Sequence, residues 1–129
     1  MVKLKFETED SKLGLTQARG FIWCTKEGLM FEFQVLDTIL EIVKSEHKEL
    51  FVSFGQIEKI YYEKEWFTGG SVYIELNSLK NIEDVPFLDD SELCLDLERK
   101  HKSRGKEFAV NSQLELWEYN LNQMDKVDE

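Results

Sequence analysis

The chain has 129 residues, enough for one domain that buries about two thirds of its unfolded surface. An apolar fraction of 42%, with 12% aromatics and a single proline, argues for a folded body over a disordered or collagen-like chain. Acidic residues outnumber basic ones by 26 to 16, and the net charge of −10 argues against a general affinity for nucleic acid or anionic membranes.

The amino terminus, Met1-Val2-Lys3-Leu4-Lys5-Phe6-Glu7, is charged too often to hold the apolar stretch of a secretory leader. No uncharged run approaches the ~18 residues of a membrane-spanning helix. Cys24 and Cys94 stand far apart with no CxxC pair, which removes thioredoxin-like and zinc-ribbon readings and leaves two buried thiols of a cytoplasmic protein. No repeat, low-complexity tract or linker divides the chain, so 1–129 reads as one domain, with its core over 18–124.

In chain order, Leu4 and Phe6 alternate with charged residues and predict a first strand. Phe21 to Thr25 is apolar on both faces, Lys26-Glu27-Gly28 supplies a turn, and Leu29, Phe31, Phe33 and Val35 alternate after it, which predicts a hairpin. Thr38 to Lys44 fits a strand or a helical turn, with strand preferred. Leu50, Val52 and Phe54 give the next strand, and Ile57, Ile60, Tyr61 and Tyr62 another beyond Gly55. Glu63 to Gly70 then forms a turn that carries Trp66 and Phe67. Val72, Ile74 and Leu76, and later Leu93, Leu95 and Leu97, give two more strands; the loop Asn81 to Ser91 between them holds Pro86 and reads as a surface connection. Arg99 to Lys106 reads as the turn before a last short strand at Phe108 and Val110. Beyond it the period changes. Ser112-Gln113-Leu114-Glu115 matches a capping box, and Leu114, Trp117, Leu121 and Met124 share one face of the helix that follows.

The stretch Gly105 to Ser112, followed by Glu115, Trp117 and Leu121, resembles the end of a pleckstrin-homology domain, where a last strand enters a capped helix carrying an inward-facing tryptophan. Gly20 to Phe33 looks like the opening hairpin of bacterial and GRAM-type PH-like domains, and Leu50 to Ile60 is similar to the strand pair that follows there. The resemblance covers roughly 18–124. It implies an all-β fold with one C-terminal α-helix, a PH-like antiparallel barrel or sandwich of two bent sheets. It places Trp117 in the core, where truncation to alanine would cost about 3–5 kcal/mol.

Chemistry is sparsely signalled. His47 and His101 sit among charges, and no GxSxG, P-loop, HExxH or GxGxxG sequence occurs, which argues against an enzyme and calls for no cofactor. Glu83, Asp84, Asp89, Asp90 and Glu92 offer carboxylates to a hard cation, but at spacings foreign to an EF-hand; a solvated loop is the plainer reading. Arg99, Lys100, Lys102, Arg104 and Lys106 gather five positive charges with no acid between them, fit to grip a phosphate or an acidic partner, or merely to offset the acidic body. Trp66 and Phe67 either mark a partner surface or fold back over the end of the strands.

These readings converge on a non-catalytic intracellular interaction or assembly module, self-associating or bound to an unknown protein, with Trp66, Phe67, Arg99, Lys100, Lys102, Arg104 and Lys106 as candidate contacts. The alternative is a membrane adaptor that takes phosphoinositide headgroups on the 99–106 turn. The opening hairpin offers only Lys26 beside Glu27, so the resemblance brings no lipid-site residue with it. A small barrel holding an apolar ligand is a third class that the aromatic content would suit.

Overall fold

A computed structural model describes residues 3–9, 16–37, 42–43 and 47–127. Strands β1 (Leu4–Glu9), β2 (Thr16–Cys24), β3 (Gly28–Asp37) and β4 (Ile42–Val43) lie side by side in a first antiparallel sheet, and β5 (Lys48–Ser53) also pairs with β3. A second antiparallel sheet has the order β6 (Ile57–Glu63), β7 (Ser71–Leu76), β9 (Glu92–Asp96) and β8 (Leu88–Asp89). One long helix, α1 (Lys102–Val127), follows. The sheets are not closed into a barrel, so the all-β body with one C-terminal helix takes the form of two separate sheets.

Alternation decides which side chains turn inward. In the β2–β3 hairpin, Ile22 stands opposite Phe31, and Ile22, Leu29, Phe31 and Phe33 are all buried. Thr25 fixes the turn: its hydroxyl accepts from the N–H groups of Glu27 and Gly28 at 3.2 Å, and its own N–H donates to the Gly28 carbonyl at 2.8 Å. The S-x-x-E/Q capping pattern is realised at Ser53-Phe54-Gly55-Gln56, which forms a 3-10 turn between β5 and β6, and not at Ser112. There Ser53 accepts from the Gly55 N–H at 3.1 Å, while Gln56 reaches back to the Ser53 N–H at 3.3 Å.

The loop Asn81 to Ser91 is not a mere surface connection. Ile82 and Phe87 are buried in it, and the Phe87 ring lies 5.4, 5.5 and 5.1 Å from those of Phe6, Phe31 and Phe33. A loop can be polar in composition and still deliver two residues to the core when its backbone turns sharply. Here Asn81 and Asp90 take positive φ angles of 67° and 56°, a conformation that their short polar side chains tolerate. The buried cluster starts at Leu4, joins both sheets and ends on the helix at Leu116. Within it the rings of Phe6, Phe31 and Phe87 lie 5.4 to 6.4 Å apart.

The largest corrections concern the C-terminal third. Phe108 and Val110 are helical, and Arg99 to Lys106 is no hairpin turn: Arg99–His101 forms a 3-10 turn that runs straight into α1. Two apolar residues two apart are too short a record to separate a strand from one helical turn. Phe108, Ala109, Ser112, Leu116 and the partly buried Tyr119 recur at helical spacing and make up the inward face, which packs chiefly along β6. Gly105 belongs to the first turns because Leu97 lies directly against its Cα, and a Cβ there would collide with it. Among the described residues no helix is long and apolar enough to cross a membrane.

Candidate functional site

A 26-residue helix is about 39 Å long, more than the second sheet can cover. From Asn120 to Lys126 every residue is exposed, so the last two turns project from the body. The predicted apolar stripe exists, but it points the other way. Trp117 is 56% exposed, Leu114 52%, Leu121 61% and Met124 62%, and Val110 joins them at 60%. Trp117 is therefore not a core residue. Leu116 beside it fills that place at 0% exposure.

The groove between this stripe and β6 has a volume of about 450 Å³ and is lined by Ile60, Tyr61, Tyr62, Val110, Leu114 and Trp117. Gln113 ties the two elements together, its Oε1 accepting from the Ile60 N–H at 2.7 Å. The Tyr61 ring stacks on Tyr73 across the strands at 5.2 Å. Burial pushes its phenol well above the ordinary range, and its hydrogen bond to Glu92 adds to the rise. The Tyr62 hydroxyl donates to the Gly69 carbonyl at 2.7 Å, and the Lys106 ammonium lies 5.7 Å from the Tyr62 ring. The groove is thus walled by rings already fixed in place, with neutral phenols at its floor.

The residues singled out in the sequence come together at one end of the molecule. Trp66 and Phe67 do not fold back, being 86% and 90% exposed on the β6–β7 turn. That turn is held against the end of β9 by the Gly69 N–H, which donates to the Leu97 carbonyl at 2.9 Å, and Phe67 and Arg99 border the same depression. Gly70, at φ 82°, makes the sharp return into β7. Lys102, Arg104 and Lys106 occupy the first turns of α1, whose first turn carries no acid. Cations at a helix N-terminus oppose the macrodipole, so the fold gains nothing by placing them there. The Lys102 ammonium is held below its usual range by Lys64, then by Lys106 and Arg99. Only Lys100 of the basic set has an ion pair here, to Glu98 at 3.5 Å, among the described residues.

The remaining polar groups serve the architecture. Asp96 accepts from Ser71 at 2.8 Å within the second sheet and from Thr8 at 3.0 Å, a part-buried link to the first sheet. Burial, and then the Asp96 charge, push the neighbouring Cys94 thiol up to about 11. Burial also raises the Cys24 thiol, opposed by the Ser112 hydroxyl. The cysteines are thus half-buried thiols, one on each sheet. His47 pairs with Glu32 at 2.6 Å, at the edge of the first sheet. Among the described residues no three His, Cys, Asp or Glu side chains converge as metal ligands, the carboxylates of 83–92 included.

The spacing of Leu114, Trp117, Leu121 and Met124 fits a core stripe as well as a solvent face, so it does not by itself reveal this surface. The second stripe, Phe108, Ala109, Ser112, Leu116 and Tyr119, was the available signal. A helix with two apolar faces can bury only one of them against a single sheet. The chain matches no family model, no curated protein and no solved structure.

Proposed function

We propose that the chain is a non-catalytic protein-interaction or assembly module of PH-like fold, and that it binds through the solvent face of α1 and the adjoining groove. The PH-like reading is supported by the element order, two antiparallel sheets in succession and then one helix lying on the second. One observation carries the function: Val110, Leu114, Trp117, Leu121 and Met124 lie more than half exposed along one helix face. Single exposed apolar residues are ordinary, whereas a contiguous row that includes a tryptophan marks a contact surface. The test compares the intact chain with Leu114→Glu plus Leu121→Glu as bait in cells that express it. A stoichiometric protein retained by the first and lost by the second is the expected result. The same proteins on both baits would refute the assignment.

A membrane-adaptor reading is favoured by one separate feature, the exposed Trp66 and Phe67 beside Lys64, Arg99 and Lys102, whose mutual repulsion an anionic headgroup would relieve. Flotation with phosphoinositide-bearing vesicles, lost when Arg99, Lys102 and Arg104 are neutralised, is its signature. Indifference to such vesicles removes it.

A further inference from the structure

We propose that the exposed face of α1 pairs with the same face of a second copy of this chain, the two helices running antiparallel. This names the partner of the surface assigned above and rests on that assignment. Val110, Leu114, Trp117, Leu121 and Met124 follow one another at steps of four, three, four and three. That is a repeat of 3.5 residues over two heptads, the period of a seam between two helices. The inward face carries the same period, Ala109, Ser112, Leu116 and Tyr119 stepping by three, four and three, but it is already covered by the body, so the exposed row alone is free to take a second helix.

The area suits a dimer. Exposures of 52% to 62% leave roughly 500 Å² of apolar side chain open on each copy, at the upper end of what a monomer carries as one patch. Two such faces remove about 1,000 Å² from water, and the flanking polar side chains bring the pair to the ~1,200 Å² at which specific interfaces begin. A two-fold interface also needs a surface complementary to itself. Setting Leu114 against the partner's Trp117 and Val110 against the partner's Leu121 places a small side chain beside a larger one at each level.

Charge selects the direction. In that antiparallel register Arg104 stands across from the partner's Asp125, twice over by symmetry, and Glu118 stands across from the partner's Asn111. A parallel pair would place Lys106 by Asn111, Gln113 by Glu118 and Asn120 by Asp125, with no ionic contact at all. Antiparallel helices also oppose their dipoles, setting the cationic start of each beside the acidic end of the other. In this register Leu121, on the projecting turns, comes to lie beside Val110 at the partner's groove.

The test is light scattering after size exclusion over about two decades of concentration, where mass action makes a dimer concentration-dependent. A mass approaching twice 15.3 kDa at the upper end is expected. Leu114→Glu with Leu121→Glu should be monomeric throughout with an unchanged circular dichroism spectrum, because both side chains are already more than half exposed. Arg104→Glu should weaken pairing about tenfold, two exposed ion pairs being lost per dimer, and adding Asp125→Arg should restore most of it. A strict monomer overturns the proposal, as does a dimer that the paired glutamates leave intact. A dimer indifferent to both charge changes overturns the antiparallel register. If the chain is monomeric, a co-purifying protein lost with Leu114→Glu plus Leu121→Glu keeps the helix face as a binding surface; without one, both readings fall.

Discussion

Leu116 and Trp117 are adjacent in sequence and opposite in burial, and truncating each to alanine measures which face of α1 holds the fold. Leu116 is fully buried in the cluster that joins both sheets to the helix. Removing three carbons there loses about 2.4 kcal/mol of transfer energy, and the residual cavity brings the cost to about 3 kcal/mol. Trp117 is 56% exposed, so less than half of its area leaves water on folding. That is roughly 100 Å², an upper bound of about 2.5 kcal/mol. Residual burial in the unfolded chain and the better helix propensity of alanine reduce it to about 1–1.5 kcal/mol. Urea unfolding followed by circular dichroism, at a dilution where the curves no longer depend on protein concentration, reads both costs. With a slope of about 2 kcal/mol/M, the midpoint should fall by roughly 1.5 M for Leu116→Ala and by about half that for Trp117→Ala. A loss at Trp117 equal to or larger than that at Leu116 would put the tryptophan in the core and reverse the helix.

Phe87→Ala should cost about 3–5 kcal/mol in the same assay, since its ring touches three other phenylalanines; a loss under about 1 kcal/mol would return the 81–91 loop to the surface. Trp66→Ala with Phe67→Ala should leave stability within about 0.5 kcal/mol, and a larger drop would show the turn packed on the body. Stability should also decline in alkali. Cys94 is pushed up to about 11 from 9.0 and Tyr73 up to about 12 from 10.0, in both cases first by burial, so the folded chain keeps protons that the unfolded chain releases. Their contribution is whole below pH 9.0 and is lost as pH rises toward 11 and 12. Denaturation midpoints that stay level from pH 9.0 to 11 would contradict this.

Strands were legible in the sequence because alternation is a local property: each strand has one wet face, and a period of two survives in a handful of residues, as in Leu29, Phe31 and Phe33 or Val72, Ile74 and Leu76. The hairpin at Lys26-Glu27-Gly28 was equally local. The sequence also contained both candidate surfaces, the Trp66–Phe67 turn and the basic stretch from Arg99, although nothing in their spacing says that they adjoin. That depends on the end of β9 passing beside the β6–β7 turn.

Tertiary structure alone decided the rest. Spacing puts Trp117 and Leu121 on one face of a helix without saying which way that face turns, and two apolar faces competed for a single sheet. The face with Phe108, Ala109, Ser112 and Leu116 turned inward, and Gln113 beside it ties the helix to β6. The bulkier stripe was left in water, more than half exposed along its length. The burial of Phe87 came likewise from backbone turns that composition does not record. Periodicity is inherited from the residues themselves, whereas burial depends on what arrives opposite them.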